Sequence, residues 1–240
     1  MYKAVQQYGY AIKPSVNWTG ADKNGRNRPD SYVRQPHQLC GIVKLVTGWH
    51  AIGHQVSCTQ SLWTVCLIPL LQHQPIVLSA DFLKSGSKFS LAMTLLESLK
   101  LASHKINCWL KYLDNRQYNA LQDLRKAVHK KYPFAKAVDS IDPLLFEGRA
   151  IMWNRQTGLH GDTGDPVKSW VVLLVLGRFH KGFFFIPRLN LRLYYEPGTA
   201  IIFRGHLLPH EVEAWEGGQR VSMVHFTHQS LWDEFGLTCP

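Results

Sequence analysis

Ser169-Trp170-Val171-Val172-Leu173-Leu174-Val175-Leu176 is a near-continuous apolar run rich in valine and leucine. A run of this length, bounded by turn residues, reads as a strand buried on both faces. Segments of related texture surround it: Ala150–Asn154 before, then Phe183–Ile186, Leu191–Tyr195, Ala200–Phe203, His210–Trp215 and Arg220–Thr227. Gly177, Lys181-Gly182, Pro197-Gly198, Gly205 and Gly217-Gly218 punctuate them as turns. Short strands so punctuated predict a small β-barrel or jelly roll.

Upstream the period changes. Met93, Leu96, Leu99, Ile106, Leu110 and Leu113 fall mostly on one stripe and predict a helix over residues 89–113. Asp114 and Asn115 cap a second helix, with Tyr118, Leu121, Leu124 and Val128 inward and Pro133 as its stop. Arg125, Lys126, Lys130 and Lys131 fall on its polar side, as a solvated face or a phosphate-contacting one. The tail Ser230–Gly236 reads as one capped helical turn with a glycine stop. The fold class expected is α+β: a double-stranded β-helix over residues 149–240, with N-terminal helices over 81–148 packed on one side.

Residues 1–80 are harder to read. The first 38, rich in Asn, Gly, Pro, Lys and Arg, predict an extended arm. In residues 40–80 Lys44 is the only Lys, Arg, Asp or Glu, and neither helical nor strand period is clean. The stretch reads as a buried insert or as chain not selected to pack.

The net charge is +10. Residues 1–80 contribute 7 − 2 = +5, residues 81–148 contribute 11 − 7 = +4, and residues 149–240 only 9 − 8 = +1. An excess outside the strand region suits a polyanionic partner, because lysine and arginine displace counterions from phosphates. Cys40, Cys58, Cys66, Cys108 and Cys239 form no C-x-x-C pair, so no zinc knuckle or redox motif is expected, and reduced thiols of an intracellular protein are. The apolar stretch Leu62–Leu78 is interrupted by Gln72, His73, Gln74 and Pro75, which argues against a membrane span.

His160-Gly161-Asp162 carries the chemistry. Residues two apart on an extended chain point the same way, so His160 and Asp162 can be adjacent ligands of one metal. His180, His206, His210, His225 and His228 are candidates for a third. In His210-Glu211-Val212-Glu213-Ala214-Trp215 the glutamates take one face, which turns His210 inward with Val212; His206 follows a glycine in a turn and lacks that support. Two imidazoles and one carboxylate make a facial triad, whose usual metal is non-haem Fe(II). On the last strand Arg220 and Ser222 share a face with Val224 and Phe226. An inward arginine needs an anion, either Glu196 or Glu216 as a structural ion pair, or the carboxylate of a 2-oxo acid.

Asn154–Asp162, Glu196–His210 and Gln219–Ser222, with the closing Val224-His225-Phe226-Thr227-His228, resemble the Fe(II)/2-oxoglutarate dioxygenase superfamily, and within it the TET/JBP family, fungal transposon-associated branch. The resemblance covers residues 149–236. It implies His160, Asp162 and His210 as iron ligands, with 2-oxoglutarate and O2 as co-substrates. It implies Arg220 on the far carboxylate of 2-oxoglutarate, Ser222 beside it, and Asn154 as a lesser co-substrate or substrate contact. The family oxidises methyl groups of DNA bases (5-methylcytosine, thymine or N6-methyladenine). DNA is therefore the expected partner, with no membrane, a monomer and a nuclear location. A flipped base needs apolar or aromatic walls, for which Trp153, Trp170 and Trp215 are candidates, though each also fits a core. The competing readings are a hydroxylase of a protein or small molecule, and an inactive relative that only binds nucleic acid.

Overall fold

The computed structural model describes residues 1–14, 16, 31–32, 36–48, 76–83 and 85–240. Five strands form the main antiparallel sheet: β2 (Gly41–Val46), β3 (Gly148–Trp153), β10 (Glu216–Phe226), β5 (Val171–His180) and β8 (Ala200–Phe203), in that spatial order. A second sheet holds β7 (Leu191–Tyr194), β6 (Phe183–Ile186) and β9 (Glu211–Val212). β1 (Ser31–Tyr32) pairs with β4 (Arg155–Gln156).

Alternation along the strands separates two cores. Ala150 and Met152, Val171, Leu173 and Val175, and Phe226 face the second sheet, meeting Phe184, Ile186 and Val212. Ile151 and Trp153, Val172, Leu174 and Leu176, and Val221 and Met223 face the helices. Both faces are covered, which is why Val171–Leu176 of β5 is apolar without a break. Two antiparallel sheets closed over a common interior, with helices on the outer face of one, make a double-stranded β-helix.

The helical layer is α1 (Tyr2–Ile12), α2 (Ala80–Leu83), α3 (Gly86–Leu113), α4 (Asn115–Lys131) and α5 (Pro133–Asp139); α6 (Gln229–Glu234) follows β10. Ser85 caps α3 by accepting from Lys88 N. Asp114 ends α3 and caps α4, accepting from the backbone N–H groups of Arg116 and Gln117. Such a cap contributes about 1 kcal/mol. Buried Gln117 then docks α4 on the entry to β5: its amide donates to Trp170 O at 3.2 Å and accepts from Trp170 N at 2.9 Å.

Several elements differ from the sequence expectations. Residues 2–12 are helical rather than extended, because Val5 and Tyr8 bury themselves in the helix-side core. Gly41–Val46, in the poorly patterned stretch, is the edge strand of the main sheet; residues 49–75 lie outside the described part. Gly177 does not end its strand. β5 continues to His180 and Gly177 sits at a bulge with φ 143°, where a Cβ would meet Gln219 O at 2.1 Å. Gly217 and Gly218 lie within β10 opposite it, and the register shifts between Gly217 and Arg220. The strand expected at 210–215 shrinks to Glu211–Val212. Leu113 is exposed. Arg125 is not a surface cation: it is buried, pairs with Asp139 and donates to Thr47 Oγ1 at 2.8 Å. Among the described residues no helix is long and apolar enough to cross a membrane, and Cys108 and Cys239 are unbridged.

Candidate active site

A single β-bridge brings the two imidazoles together. His160 N donates to His210 O at 3.0 Å and His210 N donates to His160 O at 2.8 Å, a reciprocal antiparallel pair. Side chains of such a pair stand side by side, and the ring centroids lie 4.3 Å apart. Asp162, two residues on, is anchored by its N–H on Gly205 O at 3.0 Å. Its carboxylate lies 3.6 Å from His160 Nε2 and 3.9 Å from His210 Nε2. One donor atom from each of the three side chains falls within 4.8 Å of the others, the only such group of ligand-type residues among the described ones.

The tautomers suit a metal. His160 Nδ1 lies 2.9 Å from Gly158 O, and His210 Nδ1 lies 2.9 Å from Leu208 O. A carbonyl can only accept, so each Nδ1 carries the proton and each Nε2 presents a lone pair to the space beside Asp162. His210 is buried, stacked on Phe184 and edge-on to Phe203, which fix its ring plane. Burial pushes its pKa below the usual value, against the pull of Asp162, so the imidazole stays neutral as a ligand must. His160 and Asp162 keep side-chain exposures of 36% and 26%, so the cluster opens to solvent on their side. Gly205 keeps the carboxylate's place clear: a Cβ there would lie 2.1 Å from Asp162 Oδ2.

The other histidines are engaged elsewhere. His206 Nδ1 lies 2.7 Å from Asp165 O, His180 pairs with Glu216 at the surface, and His225 Nδ1 lies 2.9 Å from Val172 O under the helices. His228 meets buried Glu147 twice, by its backbone N–H at 2.9 Å and its ring at 3.3 Å. Asp165, three residues past Asp162, is buried beside this pair. Burial holds its carboxyl well above the usual range, and the neighbouring carboxylates Asp162 and Glu147 push it the same way.

Arg220 is 1% exposed and has no carboxylate partner among the described residues. Glu196 accepts from Gly182 N and Glu216 pairs with Lys181, so neither candidate ion pair forms. The guanidinium carbon lies 5.0 Å from the Trp215 ring centre, 5.2 Å from Tyr195 and 5.8 Å from Phe179. Among the described residues Nη1 alone has an acceptor, Arg155 O at 3.1 Å. Nε and Nη2 lack one, as do the Tyr195 hydroxyl and the Trp215 Nε1. Burial lowers the pKa of Arg220 to about 10, which still leaves it charged at neutral pH. A buried cation with unspent donors, among other unspent polar groups, fits an anionic ligand. Ser222 is buried on the same face of β10.

Asn154 is buried, with its side chain engaged by protein groups. Its amide is taken at both ends, by Arg220 N at 2.8 Å and Gln38 Oε1 at 2.6 Å. Trp153 and Trp170 are also committed, through Gln6 and Asp114. Trp215 alone of the three lines the interior. Gly205, Tyr195, Asp165 and Glu147 were not singled out as site residues in the sequence. Asp165 had a signal in its three-residue spacing from Asp162. A close-approach glycine has none until its neighbour across the turn is known.

No family model matches the chain, and no curated protein matches it. Among solved structures, NgTET1 in complex with 5mC DNA aligns with a TM-score of 0.49 at 19% identity, over 63% of this chain and 55% of that one. A 2OG-Fe(II) oxygenase family oxidoreductase from Burkholderia pseudomallei gives 0.29 at 25%, over 34% and 43%. An RmlC-like cupin from Desulfovibrio desulfuricans gives 0.26 at 12%, over 32% and 70%. The matches span about half the length of the first two chains.

Proposed function

We propose that this chain is an Fe(II)- and 2-oxoglutarate-dependent dioxygenase that oxidises a methylated base in DNA. The observation that carries the reading is the pairing of two Nε2 lone pairs with one carboxylate, in a fold that also buries an unpaired guanidinium. A metal site alone would suit a hydrolase or a cupin. The buried arginine adds the demand for a carboxylate co-substrate.

His160, Asp162 and His210 would hold the metal, and Fe(II) there supplies the redox chemistry with O2 that C–H oxidation requires. Gly158 O and Leu208 O fix the imidazole tautomers. Phe184 and Phe203 keep the His210 ring from turning. Arg220 anchors the distal carboxylate of 2-oxoglutarate with Ser222 beside it, while Phe179, Tyr195 and Trp215 exclude water around the charge and strengthen its attraction. DNA as substrate rests on the +10 charge and the resemblance of the motifs. In this reading residues 149–240 carry the catalytic residues, 81–148 give helical support, and the basic first 80 add the edge strand Gly41–Val46 and the helix Tyr2–Ile12 to the fold, with the nucleus as the place of action.

The test is succinate release with Fe(II) and 2-oxoglutarate on matched duplexes that are unmodified, 5-methylcytosine-bearing or N6-methyladenine-bearing. Release stimulated by one methylated duplex is expected. Turnover indifferent to DNA would move the substrate to a protein or small molecule, and absent turnover with intact DNA binding would mark an inactive relative.

A further inference from the structure

Arg220 stands where the β3 side of the main sheet stops pairing with its backbone. The β10–β5 register shifts between Gly217 and Arg220, and pairing with β3 reaches only Val221, opposite Trp153. Asn154, the next residue, takes over. Its N–H donates to Arg220 O at 2.9 Å, and its side-chain Oδ1 accepts from Arg220 N at 2.8 Å. In an ordinary ladder a main-chain carbonyl would accept. Asn154 has φ 48°, a left-handed conformation that breaks the strand, and its amide oxygen substitutes. Asparagine is among the few side chains that tolerate this conformation and can bond locally from it.

The same residue sets the guanidinium. Nη1 of Arg220 donates to Arg155 O, the carbonyl just after the left-handed residue, which leaves Nε and Nη2 for a ligand. A short strap is fastened across this point. Asn154 Nδ2 donates to Gln38 Oε1 at 2.6 Å, and the Gln219 amide meets both main-chain groups of Leu39, at 2.8 and 2.9 Å. Asn154 is wholly buried and Gln219 nearly so. Two side-chain amides flanking Arg220 thus hold it where the pairing of β10 with β3 ends.

We propose that Asn154 is a positioning residue for Arg220, and that Gln38–Leu39 belongs to the co-substrate site through it. The proposal rests on the reading of Arg220 as the 2-oxoglutarate anchor. The strap lies more than a hundred residues before β10, just ahead of the edge strand β2, so a segment distant in sequence sets the aim of the guanidinium.

The experiment is calorimetric titration of 2-oxoglutarate into Mn(II)-loaded protein, with Mn(II) binding titrated separately. Asn154→Gly keeps the left-handed backbone and removes the clasp; Asn154→Asp keeps the acceptor for Arg220 N. Asn154→Gly should weaken 2-oxoglutarate binding about tenfold, the scale of one buried hydrogen bond. Asn154→Asp should lose less, Mn(II) affinity should be unchanged in both, and Asn154→Gly should add nothing in an Arg220→Lys background. Wild-type affinity in Asn154→Gly, or equal loss of Mn(II) and 2-oxoglutarate binding, overturns the proposal. Should that variant fail to fold, Gln219→Leu, which cuts the strap, decides: weaker 2-oxoglutarate binding supports the proposal and unchanged binding overturns it. Wild-type protein that binds Mn(II) but not 2-oxoglutarate refutes the function itself, a separate result from an insensitive Asn154.

Discussion

At the scale of single residues the site depends on small clearances. Gly205 faces the Asp162 carboxylate so closely that a methyl group would come within 2.1 Å of Oδ2. Gly205→Ala should therefore cost the metal affinity of the protein at least tenfold by isothermal titration, with the melting temperature little changed, because the turn at 205–207 needs no positive φ there. A fall in stability without a fall in metal affinity would show that Asp162 does not need that space. The choice between two histidines is equally local. His210→Ala should abolish iron-dependent turnover, since it removes one lone pair from the cluster. His206→Ala removes only a contact to Asp165 O and should leave turnover within a few-fold; the reverse result would reassign the third ligand.

At the scale of elements, β10 carries opposite chemistry on its two faces. Arg220 and Ser222 look into the interior, while His225, five residues beyond Arg220, contacts Val172 O beneath the helices next to Arg149. Burial and then the Arg149 charge push the His225 imidazole down to about 3, against about 6.5 when unfolded. The folded value is the lower one, so its contribution to stability is whole above pH 6.5 and declines as the pH falls from there towards 3. Between pH 6.5 and 5 that amounts to about 2 kcal/mol. Replacing His225 with Asn, whose amide can donate to Val172 O, should flatten the loss of stability over this range by that amount in urea titrations. An unchanged slope would mean that other groups set the acid sensitivity.

At the scale of the whole molecule, what the sequence disclosed follows from which patterns are local. Strands β6 and β8 and the cap at Asp114 could be read directly, because alternation and capping depend on neighbours in the chain. The meeting of His160, Asp162 and His210 could be anticipated from a two-residue spacing and one alternating strand. The bulge at Gly177, the burial of Arg125 and the diversion of Asn154 could not. Each depends on a partner on a distant element: Gln219 across the sheet, Asp139 on the next helix, Gln38 more than a hundred residues earlier. The helix at Tyr2–Ile12 escaped notice because its stability comes from packing Val5 and Tyr8, not from caps or propensity.

The most direct measurement is an anaerobic Fe(II) titration of the wild-type protein and Asp162→Ala, read by isothermal calorimetry. If His160, Asp162 and His210 are the ligands, the wild type takes up one equivalent and Asp162→Ala takes up none at the same concentrations. Equal binding by the two proteins, or no binding by the wild type, would contradict the metal site on which the proposed function stands.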